Sequence, residues 1–405
     1  MNSNKKVLVI NCGSSSVRFQ FINMSNEKAL AAGIVEKLGM SQSLIKLKFG
    51  DNDFTKECNS LDHSSAISEI LDAITSGQFG AIRHKSEISA VGHRVVHGAE
   101  QFSESVLITE DTIKQIQSCV ELAPLHNHHN LKGIQECKEL LPGIPQVAVF
   151  DTAFHHTMED YVYIYALAYR FYEKYRFRRY GFHGTSHFYV ANKAAEIVGK
   201  DIRKLKIITC HLGNGASVAA VKYGKSIDTS MGFTPLEGLV MGTRCGDVDP
   251  AMALFIMEKE GLSPHECDML MNHECGLLGV SGISSDMRDL LKAYQEGNDR
   301  ARLALQMYTY RIRKYIGMYS ASMNGVDLIV FTGGVGENAA LIRNMCCTDM
   351  EYLGIDFEEE KNKKAIGIEG ELTAQDSKVR VLCVPTNEEL VIARDTARII
   401  DNDTN

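Results

Sequence analysis

Two stretches far apart in the chain share one hydrophobic–polar pattern. Residues 6–22, KVLVINCGSSSVRFQFI, and residues 206–228, KIITCHLGNGASVAAVKYGKSID, each hold an apolar run, a turn of glycine and small polar residues, and a second alternating run. The β-branched content and period-two alternation predict a strand, a tight turn and a return strand in each copy. Small residues at such a turn let backbone N–H groups come close to an anion. Either copy alone is an ordinary hairpin. Echoed in both halves of the chain, the pair predicts a duplicated fold that grips one polyphosphate with two turns.

The same reading continues along the chain. AAGIVEKL and LIKLKFG extend the first pair as an antiparallel edge. Asp62 caps a helix whose apolar stripe is Ile67, Ile70, Leu71 and Ile74, stopped by Gly77. Residues 88–98, ISAVGHRVVHG, form a strand that runs into charged and imidazole side chains. A helix over 111–122 leads to the loop APLHNHHN and to a third helix on Leu131, Ile134, Cys137 and Leu141, ended by Pro142 and Gly143. The strand PQVAVF, residues 145–150, delivers Asp151 at its C-terminal end, where open α/β sheets present ligand-binding groups.

Residues 161–187 are dense in Tyr and Arg, a composition that suits a protein interface or packing against a neighbouring domain. The next helix carries Phe188, Ala191, Ala195 and Val198 and ends at Gly199. Residues 229–250 form a long glycine-studded loop with few packing residues, which predicts a functional role. Asp249 and Pro250 cap and open the helix AMALFIMEKE, and a long amphipathic helix over 301–322 carries Leu305, Tyr308, Ile312 and Ile316. The strand DLIVF then meets TGGVGEN at the start of another helix, a site for phosphate or ribose that lacks the G-x-G-x-x-G spacing of dinucleotide folds. After a last strand, Thr386 and Glu389 make a capping box that leaves Glu388 free, and the final helix is expected to cross back onto the first domain.

Length and composition narrow the class. At 405 residues the chain suits two domains, 1–152 with 387–405 and 153–386, the second carrying most of the nucleotide site. A net charge of −8 without a basic tail argues against nucleic acid as a partner, so an anionic substrate has to be drawn by a local cationic cluster. Eleven cysteines without a C-x-x-C pair fit reduced thiols inside a cell. The apolar run before Asn11 is too short for a signal peptide and residues 161–169 fall short of a membrane span, so a cytoplasmic protein is expected.

Three glycine turns, each after an apolar strand, suit a nucleotide with its Mg2+, or Mn2+ in its place. Asn11, Asp151 and Glu388 are the candidate metal ligands, each just beyond a strand or in a helix's first turn. Arg94 and Arg244 in HRVVHG and GTRCGD, with His183 in YGFHGTSH, could stabilise a phosphoryl group in transfer. A hydroxyl acceptor would need Asp151 as general base, whereas a carboxylate is ionised already and needs only a positive anchor. The two arginines and the flanking His93 and His97 fit a carboxylate, although the residues alone leave both acceptors open. HNHHN, His155 with His156, and the His265 and His273 copies of HEC lack the spacing of zinc sites.

Together VLVINCGSSS, GHRVVHG, LAPLHN, VAVFDTAFH, RRYGFHGTSH, HLGNGAS, DTSMGFTPLEGLVMGTRCGDVDP, FTGGVGEN and PTNEELVIARDT resemble the acetate kinases from Val7 to about Thr396. The resemblance implies an α/β fold of two duplicated ribonuclease-H-like domains with a nucleotide cleft, assembled as a homodimer. It also implies a reversible Mg2+-dependent transfer from ATP to acetate, giving ADP and acetyl phosphate. Asn11 and Glu388 would then be the magnesium site, Asp151 the active-site carboxylate, Arg94 the anchor of the acid, and His183 and Arg244 the stabilisers of the transferring group. His211, Leu212, Gly213, Asn214 and Gly215 would touch the phosphates. Arg18, Asp286, Met287, Arg288, Gly334, Val335, Gly336, Glu337 and Asn338 would complete the nucleotide site, and Val96, Leu125, Phe182 and Pro235 the acyl pocket.

Two positions depart from the family pattern. Arg18 stands where Lys is usual, which keeps the charge without the compact ammonium, and His128 replaces Pro in LHNPHN. The resemblance implies that Val96 tips the pocket towards acetate, because the pocket of relatives that prefer propionate resembles one with a smaller residue there. A propionate kinase of the same family, an actin-like or chaperone-like ATPase, and a sugar kinase using Asp151 as base are the alternatives.

Overall fold

The computed structural model describes residues 5–50, 52–76, 81–120 and 127–403. The chain divides into two compact units, Met1–Ala153 with Asn387–Asn405, and Phe154–Thr386.

The first unit is built on a sheet of β1 (Lys6–Cys12), β2 (Ser16–Asn23), β3 (Lys28–Glu36), β4 (Gln42–Phe49), β5 (Asn52–Asn59), β6 (Ala90–Val95), β7 (Val106–Leu107) and β8 (Gln146–Phe150), in the order β5-β4-β3-β2-β1-β6-β8-β7. β2 pairs antiparallel with both β1 and β3, while β1, β6 and β8 run parallel. The second unit holds β9 (Lys206–Leu212), β10 (Ala216–Lys222), β11 (Lys225–Thr229), β12 (Leu328–Thr332), β13 (Gly370–Glu371) and β14 (Arg380–Cys383), in the order β11-β10-β9-β12-β14-β13. Here β10 pairs antiparallel with both β9 and β11, and β9, β12 and β14 run parallel. The run β3-β2-β1-β6-β8 therefore repeats in order and direction as β11-β10-β9-β12-β14, which is the ribonuclease-H-type duplication that the two echoing stretches predict. The two turns are also alike: the Gly13 N–H donates to the Ser16 carbonyl at 2.8 Å and the Gly213 N–H to the Gly215 carbonyl at 3.0 Å.

Alternation along β1 splits the first unit's core into two layers. Leu8, Ile10 and Cys12 face Ile67, Ile70 and Leu71 of the helix His63–Thr75, together with Cys137. Val7 and Val9 face Ile392, Ala393 and Ala397 of the last helix, Glu388–Asp403. In the second unit Val190, Ala191 and Ala194 of the helix Gly184–Ile197 cover Ile207, Leu328 and Val330.

Several expectations about element ends change. The first helix is capped by Asp62 and closes at Ser76, and Gly77 lies outside the described residues. The next helix is Glu110–Ser118, because the Thr109 side chain accepts from the Thr112 N–H and fixes the start. Its expected end at 121–122 is likewise outside the described residues. Asn127–Asn130, read as loop, are the first turn of the helix Asn127–Leu140. Phe188 is 44% exposed, since the buried face of its helix is carried by the small residues instead. The 229–250 loop does pack, through the fully buried Met231, Leu239 and Met241. β5 has no apolar alternation to mark it, being exposed along most of its length.

Thr386 does not cap the last helix. Asn387 does, its Oδ1 accepting from the Leu390 N–H at 3.0 Å, while the Thr386 N–H donates to Glu337 Oε1 at 3.1 Å within the second unit. That helix lies tight on β6 at Gly92, where a Cβ would stand 2.4 Å from Thr396 Oγ1 and 2.7 Å from Ile392 Cγ2. Gly92→Ala is therefore expected to lower stability by about 1–3 kcal/mol through overpacking, seen as a lower Tm. An unaltered melting curve would show that the helix can move away freely.

Candidate active site

In the first unit the candidate side chains lie at the C-terminal ends of the parallel strands β1, β6 and β8. Arg94 on β6 donates from Nε to Asp151 Oδ1 at 3.0 Å and from Nη2 to Oδ2 at 2.5 Å, with Asp151 just beyond β8. The Asp151 side chain is 1% exposed and that of Arg94 20%. Burial pulls the guanidinium pKa down, but Asp151 and Glu388 outweigh it and hold the group above its usual value. Asn11 is the last residue but one of β1, opposite Arg18 on β2.

Glu388 opens the last helix beside this pair. Its Oε1 is buried and has no hydrogen-bond partner among the described residues. Burial pushes its carboxyl up from 4.5 to about 7; Arg94 and Arg18 oppose that rise, and Asp151 and Glu389 add to it. A carboxylate oxygen with no donor, near another carboxylate, is an arrangement that a divalent cation would relieve. Asn11 and Glu388 thus fit the proposed metal role by donor chemistry.

The flanking histidines do not act as carboxylate anchors. His93 is buried on the opposite face of β6, its Nε2 2.6 Å from Gln146 Oε1, and burial lowers its pKa to about 4, so it is neutral. His97 is also fully buried, and its Nδ1 accepts from the Ala99 N–H at 2.9 Å. What holds this segment is a pair of asparagines that sequence reasoning passed over. Asn127 accepts from the His97 N–H at 3.1 Å and donates to the His97 carbonyl at 2.8 Å. Asn130 accepts from the Val96 N–H at 3.0 Å and donates to the Cys12 carbonyl at 2.8 Å, tying the ends of β6 and β1 together. Both belong to the HNHHN motif, whose density of amides was the available signal. Val96 is buried, and Leu125 lies outside the described residues.

In the second unit His183, Arg244 and Gly215 converge. A Cβ on Gly215 would stand 3.5 Å from Arg244 Nη1 and 3.6 Å from His183 Nε2. His183 precedes its helix with φ +57°, a left-handed conformation uncommon outside glycine, and its ring stacks on His211 at 4.3 Å. Arg244 donates to the Pro235 carbonyl at 3.3 Å and approaches Met241 Sδ at 3.9 Å. No carboxylate pairs with it among the described residues, and burial alone lowers its pKa. Phe182 is buried, its carbonyl 3.1 Å from His155 Nε2.

The loop that presents Arg244 is latched at two points. Arg179 donates from Nη1 to the carbonyls of Thr229, Ser230 and Met231 at 2.9–3.2 Å and from Nη2 to Glu237 at 2.5 Å, and Tyr165 also bonds Glu237. Further on, Asp247 accepts from the Gly238 N–H at 2.8 Å and from the Tyr315 hydroxyl at 2.7 Å.

A cavity of about 720 Å³ opens beside these groups in the second unit, of a size that suits a small-molecule ligand. Of the predicted nucleotide residues, Gly213, Asn214, Asp286, Met287, Arg288, Gly334, Val335 and Asn338 line it, joined by Leu277, Ser285, Leu291 and Ala339. Leu277 and Leu291 were missed because helical apolar residues read as core. His211, Leu212, Gly215, Gly336 and Glu337 are not in its lining. His211 Nδ1 bonds Ser186 Oγ at 2.8 Å, Leu212 is buried, and Glu337 is a strut whose Oε1 accepts from the Gly333 N–H at 2.9 Å.

Residues 6–394 match the acetokinase family. An acetate kinase of Methanosarcina mazei is 55% identical over 98% of this chain and 98% of its own length. The crystal structure of Porphyromonas gingivalis acetate kinase matches with a TM-score of 0.93 at 51% identity, covering 98% of this chain and all of that one. A propionate kinase from Francisella tularensis matches with a TM-score of 0.92 at 40% identity and the same coverage.

The raised Glu388 carboxyl has a measurable consequence. The folded chain keeps a proton that the unfolded chain releases between pH 4.5 and about 7, so this group costs stability as pH rises through that window. In metal-free protein the Tm of Glu388→Gln relative to wild type is expected to climb across the same window. A constant difference would show the carboxyl to be ordinary.

Proposed function

The chain belongs to the acetokinase family, and on that premise we propose that it transfers the terminal phosphoryl group of ATP to acetate, reversibly giving acetyl phosphate and ADP. The observation that carries this reading is Arg244, a part-buried cation with no carboxylate partner among the described residues, set with His183 beside the Gly213–Gly215 turn. A phosphoryl group in flight spreads negative charge over its oxygens, and a desolvated guanidinium with an imidazole answers that charge strongly. The cavity lined by Gly213, Asp286 and Gly334 supports ATP and ADP as the nucleotides.

Acetate is ionised near neutral pH and needs no general base. In this reading Asp151 is the partner that orients Arg94, occupying its Nε and one Nη2 hydrogen and leaving the remaining donors for the acid. Asn11 and Glu388 would hold Mg2+, or Mn2+ in its place, which when bound neutralises phosphate charge. Val96, held by Asn130, would limit the acyl chain. A homodimer is supported by the helix Pro250–Glu260, which buries none of its residues in this chain and exposes Leu254 and Phe255 by 68% and 57%. No helix among the described residues is long and apolar enough to cross a membrane.

Propionate is the second reading, favoured by the propionate kinase likeness. One methylene is worth only about 1–3 kcal/mol of discrimination, so turnover of both acids is expected. Incubation with ATP, Mg2+, hydroxylamine and acetate, propionate or butyrate tests the reaction, because hydroxamate forms only from an acyl phosphate. An enzyme that makes none with any acid would refute it. Arg244→Ala is expected to lower kcat about a hundredfold with little change in KM for ATP; near-normal turnover would remove Arg244 from the chemistry. Val96→Ala is expected to move kcat/KM towards propionate, and an unmoved ratio would reject its place against the acyl group.

A further inference from the structure

Four side chains of the second unit form a file of hydrogen bonds that ends at His183. Thr209 Oγ1 lies 2.7 Å from His187 Nδ1, His187 Nε2 lies 2.7 Å from Ser217 Oγ, and Ser217 Oγ lies 2.9 Å from His183 Nδ1. Thr209, His187 and Ser217 are fully buried. Each of their hydrogens must therefore find its acceptor within the file. Burial, with His155 and His211 nearby, holds His187 far below the ordinary imidazole value, so it is neutral and carries one N–H.

Only two directions are open to such a file. If His187 donates to Thr209, the Thr209 hydroxyl hydrogen is left in the core with no acceptor among the described residues. In the other direction nothing is wasted. Thr209 donates to His187 Nδ1, His187 donates from Nε2 to Ser217, and Ser217 donates to His183 Nδ1.

We propose that Thr209, His187 and Ser217 are positioning residues that form a one-way relay and hold His183 as the tautomer with its hydrogen on Nε2. That nitrogen is the one 3.6 Å from the Cβ position of Gly215, where Arg244 Nη1 also lies. The relay rests on the phosphoryl-transfer reading only for its purpose. There it makes His183 a hydrogen-bond donor to the transferring group without any rearrangement during reaction. The tautomer itself follows from the buried hydroxyls and the single N–H of a neutral His187.

Nitrogen NMR of the full chain labelled with 15N-histidine reads the tautomer directly. The expected spectrum gives His183 a protonated Nε2 and an unprotonated Nδ1, and the reverse assignment would overturn the relay whether or not any variant folds. Thr209→Val removes the hydroxyl three hydrogen bonds away at nearly constant shape. It is expected to mix the tautomers of His183 and lower kcat about tenfold or more, with KM for ATP little changed, and Thr209→Ser is expected to restore both. A Thr209→Val protein whose His183 keeps its tautomer would refute the relay. If the tautomer shifts while kcat holds, the relay stands and the catalytic role given to His183 falls.

Discussion

Taking a guanidinium out of water is costly unless something answers its charge, and this chain answers it in three different ways. Arg94 has a bidentate carboxylate. Arg343, fully buried, has no carboxylate partner among the described residues but donates to the carbonyls of Gly336, Glu337, Asn362 and Ala365 and to the Asn362 side chain, all at 2.7–2.8 Å. Arg244 has one long bond to a carbonyl and a sulfur contact. The first two are satisfied within the fold. The third has no carboxylate partner among the described residues, which is why the proposed reaction assigns it the transferring phosphoryl group.

Presenting Arg244 falls to the 229–250 loop, which has no strand or helix to stiffen it. Its shape comes from side chains that reach in from elsewhere in the unit. Arg179 gathers three successive carbonyls at its start, and Glu237 closes that grip through Tyr165. Asp247, braced by Tyr315 and Arg311, fixes its end. A Cβ on Gly242 would stand 1.9 Å from Asn214 Oδ1 on the Gly213–Gly215 turn, so any larger residue would have to push that side chain aside. Loop and turn are thus fitted to each other at the scale of one atom.

The duplicated sheets were legible because strand alternation and glycine turns are local signals, and they repeat at residues 6–22 and 206–228. So were Arg94, Asp151 and Arg244, since charged residues at strand ends and in glycine-rich loops stand out. The roles of buried polar residues were not. His93 and His97 looked like anchors, yet one is neutral on the far side of its strand and the other braces a backbone turn. Asn127, Asn130 and Glu337 work by tying together segments distant in sequence, and no spacing along a chain announces that. The cap of the last helix fell to Asn387 rather than Thr386 because Thr386 is engaged with Glu337 and Ser186 in the second unit.

The discontinuity of the first unit bears on how the molecule is made. Its sheet is complete once Phe150 has been synthesised, but the face carrying Val7, Val9, Val147 and Val149 is sealed only by a helix that begins at Glu388. During translation that apolar face waits, uncovered, while the whole of the other unit is produced, and the two parts mature in an order opposite to their order on the messenger. A ribosome that stalls near its end would release a protein with one finished lobe and one sticky one.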